Sequence, residues 1–90
     1  MRIYDADIRQ IATPAALQVY LGFVLKAPSY YGHNLDALYD ILTERSQPAC
    51  LVLRTPAGFS PEMQAYWPRL VQVLDDAAKA NPAFSWREEK

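Results

Sequence analysis

The run Ala49-Cys50-Leu51-Val52-Leu53 is unbroken apolar sequence between Pro48 and the turn residues Thr55-Pro56-Ala57-Gly58. It is too short to cross a membrane and shows neither strand alternation nor a helical period, so it reads as a strand buried on both faces. Such strands belong to parallel sheets, and parallel neighbours must be joined by crossovers long enough to hold a helix. The remaining sequence has to supply both further strands and the helices between them.

It does so in alternation. Residues 1–6 set Met1, Ile3 and Asp5 against Arg2 and Tyr4, a short strand, and Phe84 and Trp86 alternate with Ser85 and Arg87 in a last strand over 83–88. Between the first strand and the apolar run lie two helices. Thr13 caps the first, Pro14 takes its opening position, and Leu17, Tyr20, Leu21, Val24 and Leu25 form its core stripe. Gly22 within that stripe costs about 1 kcal/mol relative to alanine, and Lys26-Ala27-Pro28 ends the helix because a residue before proline avoids the helical region. Asn34 caps the second helix, which runs to about Glu44 with Leu35, Leu38 and Leu42 on the buried side. After the apolar strand, Ser60-Pro61-Glu62 opens a long stripe through Met63, Tyr66, Trp67, Leu70, Val71, Leu74, Ala77 and Ala78. Pro68 interrupts it, predicting a kink or a break with a new helix starting there. Asn81-Pro82 stops the stripe. The predicted fold is α/β, with three parallel strands packed on helices, in a single domain over 1–90, since a chain of this length holds only one core.

A net charge of −1 with no cluster of Lys and Arg argues against direct binding of a phosphate backbone. Cys50 is the only cysteine, so no disulfide forms within the chain, and its apolar setting makes it a small buried hydrophobe. Arg2, Asp5, Asp7 and Arg9 leave no long apolar stretch near the start for a signal or a membrane anchor, so the cytoplasm is the expected location. No cofactor motif is present: there is no glycine-rich phosphate loop, no cysteine pair, and no nucleophile beside the single histidine, His33.

Chemistry concentrates in Tyr30-Tyr31-Gly32-His33-Asn34-Leu35-Asp36-Ala37-Leu38-Tyr39-Asp40. Asp36 stands in the first turn of the second helix, where the dipole favours an acid. Asp40 follows four residues later and Glu44 four after that, so like charges stack on one face at a few tenths of a kcal/mol per pair. Beside them Tyr30 and Tyr31 lie on a loop, where tyrosines bring large contact area with few torsions to freeze. Tyr30 reads as an interface residue; Tyr31 fits either the interface or the core.

This run resembles the signature of the barstar family, intracellular inhibitors of bacterial ribonucleases such as barnase. The similarity extends to the apolar first helix, to Leu51-Val52-Leu53, and to Gln72-Val73 and Ala77 near the end. The resemblance implies three parallel strands with about four helices, and an antitoxin or immunity role in which helix carboxylates take the places of substrate phosphates in a nuclease active site. It assigns Asp40 to the catalytic centre of the target, with Asp36 and Tyr30 flanking it. Gly32, Asn34, Leu35, Tyr39, Thr43 and Glu44 fall on the same surface, and Asp76 is a further acidic contact from the later helix. Where the family carries tryptophan this chain has Tyr39, and His33, Arg45 and Ala80 replace an acid, an aromatic and a second acid. These departures point to a related ribonuclease as the target rather than barnase itself.

Two other readings use the same residues. His33, Asp36 and Asp40 would be the ligands or acid/base groups of a small metal-dependent enzyme, although His33 and Asp40 stand two turns apart, too far for one metal on a straight helix. Alternatively the module keeps the fold and binds a protein that is not a nuclease.

Overall fold

A computed structural model describes residues 1–90. In chain order the elements are β1 (Arg2–Asp7), α1 (Pro14–Val24), α2 (Leu35–Thr43), β2 (Ala49–Arg54), α3 (Pro61–Ala80) and β3 (Phe84–Glu89). The strands form one sheet in the order β1-β2-β3, with both pairs parallel. Their bounds lie within one residue of those read from the sequence. Thr13, Asn34 and Ser60 each cap a helix, accepting from the backbone N–H of Ala16, Ala37 and Met63.

There are three helices, not four. Pro68 stands inside α3 without dividing it. The proline lacks the N–H that would bond the Gln64 carbonyl, but Pro68 and Gln64 are both exposed, so the broken rung faces water. On the other side Met63, Leu70, Leu74 and Ala77 are fully buried and hold the helix continuous. Pro68→Ala is therefore expected to stabilise the protein by about 1 to 2 kcal/mol, the regained rung less the freedom restored to the unfolded chain. Denaturant melts of the two forms check this, and a loss of stability would contradict it.

The core lies on one side of the sheet. Ala6, Leu51, Leu53 and Phe84 face Leu17 and Leu21 of α1, Leu38 and Leu42 of α2, and Leu70 and Leu74 of α3 in one cluster. Cys50 and Val52 point the other way and are also buried, at 7% and 2% exposure, yet they lie outside that cluster. The burial on both faces expected of β2 is thus achieved by unlike means. Across the second face Arg54 Nε meets Asp5 at 3.0 Å and its Nη1 meets Glu89 at 3.8 Å, while Arg87 meets Glu89 at 3.4 Å. Val52 sits between Asp5 and Arg87 in register, beneath these charged side chains. Hydrogen bonding from Arg54 holds the Asp5 carboxyl below its usual range, and Arg9 does the same for Asp7, to about 2.

Candidate functional site

The loop before α2 is fixed by an aromatic anchor. Tyr31 is buried, its hydroxyl donates to Gln18 Oε1, and Gln18 Nε2 donates in turn to Tyr66 Oη at 2.6 Å. Its ring lies so close to Gly22 that a Cβ there would stand 3.0 Å from Tyr31 Cδ2, which explains a glycine in the middle of α1. His33 packs edge-on against the same ring at 5.0 Å with φ of 55°, a left-handed turn that delivers the chain to the Asn34 cap. Asn34 Oδ1 accepts from Ala37 N at 2.8 Å and its Nδ2 donates to Gly32 O at 3.3 Å. Tyr31 is therefore a core residue, whereas its neighbour Tyr30 is 75% exposed.

Burial pushes the Tyr31 phenol up to about 12 from 10.0. A proton held more tightly in the folded state stabilises the fold fully below the unfolded value and progressively less as pH rises from 10 towards 12. An alkaline titration followed by phenolate absorbance should accordingly show one tyrosine ionising late, with stability falling over that window. Ionisation of all tyrosines near 10 without loss of stability would contradict it.

On α2, Asp36, Asp40 and Glu44 are exposed while Leu38 and Leu42 are fully buried. Leu35 departs from expectation: it packs against the edge of the core but is only half-buried, because as the first residue of the helix it also lines a cleft open to solvent. Tyr39 and Thr43 are half-buried, and Thr43 Oγ1 donates back to Tyr39 O at 2.9 Å and to Asp40 O at 3.2 Å.

Side-chain partners separate the α2 acids from most of the others. Asp5, Asp7 and Glu89 form ion pairs with arginines. Asp75 accepts from Trp86 Nε1, Asp76 from Gln72 Nε2 and Glu88 from Thr55 Oγ1. No such bond reaches Asp36, Asp40, Glu44 or Glu62. Asp36 and Glu62 stand in first turns, where the helix dipole accounts for them. Asp40 and Glu44 lie towards the negative end of α2, and that end carries no basic residue in its last turn. Local chemistry there disfavours an acid, yet two are present.

Asp40 and Glu44 line a cleft of about 140 Å³ with Tyr30, Tyr31, Ala37 and Ile41. A separate cleft of about 350 Å³ joins Asn34, Leu35 and Asp36 to His33, Tyr66 and Arg69. Gly32 is exposed beside Asn34, and Asp76, exposed on α3, lines neither cleft. No group of three or more His, Cys, Asp or Glu side chains is placed to hold a metal ion, so His33, Asp36 and Asp40 do not converge as a metal centre would require.

Two contributions were not legible from motif and charge spacing. Gln18, the buried relay between Tyr31 and Tyr66, stands four and seven residues before Gly22 and Leu25, a helical spacing that could have marked it as inward-facing. Arg45 turns inward: Nη2 donates to Leu25 O at 2.5 Å, Nη1 donates to Tyr4 Oη at 3.1 Å, and the guanidinium lies 5.0 Å from the Tyr4 ring centre. It ties the end of α2 to the end of α1, and no sequence spacing announces that.

Fold and surface together define a small parallel α/β protein whose unpaired acids lie on a helix beside an exposed tyrosine loop. The chain belongs to the barstar (barnase inhibitor) family, whose model matches residues 1–89. No curated protein matches the chain. The family is one of inhibitors rather than enzymes, and no helix is long and apolar enough to cross a membrane.

Proposed function

We propose that the protein inhibits a ribonuclease of the barnase type, or a related toxin nuclease, by setting α2 and its preceding loop into the nuclease active site within the cytoplasm. The observation that carries this reading is the pair Asp40 and Glu44, exposed, without a cation of their own, and on the half of the helix where the dipole opposes them. A site that binds a phosphodiester gathers cations, and a carboxylate presented among them gains several charge-assisted hydrogen bonds at once. Asp40 takes the central place, with Asp36 and Tyr30 beside it. Gly32, Asn34, Leu35, Tyr39, Thr43 and Glu44 complete the surface, and Asp76 adds a contact from α3. The test is to titrate the purified chain into a barnase-type ribonuclease, and into any nuclease encoded beside it, while following RNA cleavage. Stoichiometric loss of cleavage is expected.

A second reading, the same face directed at a partner that is not a nuclease, is favoured by Arg45. Where the family has an aromatic, this side chain is drawn inward onto Tyr4 and Leu25. Absence of inhibition for every nuclease tried, with a folded chain, would select that reading.

A further inference from the structure

The edge of the sheet at β1 is open in a defined way. Arg2 N donates to Pro48 O and Ile8 N to Arg54 O, both on the β2 side. Alternate residues of a parallel strand bond the same neighbour, so the even positions of β1 face β2 and the odd positions face outward. Of those, Asp7 N is taken by Tyr20 Oη at 3.1 Å. The outward N–H and C=O groups of Ile3 and Asp5 are left as an unpaired stretch of edge.

Alongside runs a groove of about 680 Å³ between this edge and the C-terminal half of α1, where Tyr20, Phe23 and Val24 form the wall. Phe23 is 81% exposed and Ile3 59%, two of the most exposed large apolar side chains in the molecule. None of Tyr30, Asp36, Asp40 or Glu44 lines this groove, so it is distinct from the acidic face.

Charge decides what fits. Arg2 and Lys26 both line the groove and neither has an acid within ion-pair distance. The one acid present, Asp5, is engaged by Arg54. Lys26 also holds a left-handed position, φ 53°, just past α1, with Ala27 N bonded to Gly22 O at 2.9 Å. Glycine is usual at such a position, and a side chain there costs about 1 kcal/mol. Lys26 thus presents its cation to the groove from a strained backbone position.

We infer that the groove beside β1 docks an extended acidic–apolar peptide segment of a partner protein, which adds as a fourth strand on the backbone groups of Ile3 and Asp5. Its apolar side chains lie against Phe23 and Val24 and its carboxylates meet Arg2 and Lys26. A second copy of this chain fits less well, because its own β1 would bring Arg2 and Lys26 against their like.

The probe is a fluorescent valine-rich peptide with glutamates at both ends, where they can reach Arg2 and Lys26 while valines face Phe23 and Val24; it is compared with its lysine-ended counterpart by anisotropy, with amide exchange followed on the full chain. The acidic peptide should bind, slow exchange at Ile3 and Asp5, and weaken as salt is raised. Lys26→Glu should weaken it by about tenfold. Ile3→Pro removes an N–H that bonds nothing in β2, so it should keep the fold, checked by circular dichroism, and lose the peptide. Asp40→Ala should leave peptide binding unchanged, which separates this surface from the inhibitory one. Equal binding of the lysine peptide, no binding of the acidic one, or binding without protection of Ile3 and Asp5 would overturn the inference. So would protection of those amides by concentration-dependent self-association alone.

Discussion

Asp40→Ala is expected to weaken inhibition of the cognate ribonuclease by about thirtyfold or more, roughly 2 kcal/mol or above. Removing this carboxylate from the complex leaves the cations of the nuclease buried without a partner, and that penalty adds to the lost hydrogen bonds. Within the free protein the same change removes nothing: Asp40 has no ion-pair partner, is exposed, and stands between Asp36 and Glu44 on one helix face. Relief of like-charge repulsion there amounts to a few tenths of a kcal/mol, so thermal unfolding should be unchanged or slightly later. Glu44 lies at the helix end, and its removal should reduce inhibition far less. Inhibition titrations and melts of the wild type, Asp40→Ala and Glu44→Ala separate the two effects. Equal inhibition by wild type and Asp40→Ala would remove the centre of the proposed mechanism.

What was legible in the sequence follows from where the governing physics is local. The caps at Thr13, Asn34 and Ser60 act within three residues, and the strands declare themselves by composition, so element positions and the parallel sheet could be read directly. Pro68 misled because proline's effect depends on which side of the helix loses its hydrogen bond, and exposure is set by packing rather than by the residue itself. Leu35 misled for a related reason: it shares the spacing of Leu38 and Leu42 but sits at the mouth of a cleft built partly by α1 and α3. The carboxylates of α2 were visible as an unusual stack. That they alone, apart from Glu62, lack side-chain partners depends on the three-dimensional pairings of Asp5, Asp7, Asp75, Asp76, Glu88 and Glu89, several of which join residues far apart in the chain.

Tyr31→Ala is expected to be the most damaging single change near the site, at about 3 to 5 kcal/mol, while Tyr30→Ala one residue earlier should leave stability within about 0.5 kcal/mol. The difference rests on burial. Tyr31 is 6% exposed and packs on Gly22, so its removal opens a cavity that α1 cannot close without moving, and it orphans the Gln18 carbonyl that its hydroxyl reaches. Tyr30 is 75% exposed and makes no side-chain hydrogen bond. For a chain of this size total stability is roughly 5 to 13 kcal/mol, so the loss takes about a quarter of it or more and should lower the melting temperature by about 12 °C or more. Tyr31→Phe keeps the ring on Gly22 and gives up only the hydroxyl, a loss of about 1 to 2 kcal/mol. In binding the order reverses for the residual effect: Tyr30→Ala should weaken inhibition although it melts like the wild type, and Tyr31→Phe should inhibit almost normally although it melts earlier. Melting curves and inhibition titrations on the three variants give six comparisons with the wild type. A stable Tyr31→Ala would show that the loop before α2 is held by Asn34 and His33 without its aromatic anchor.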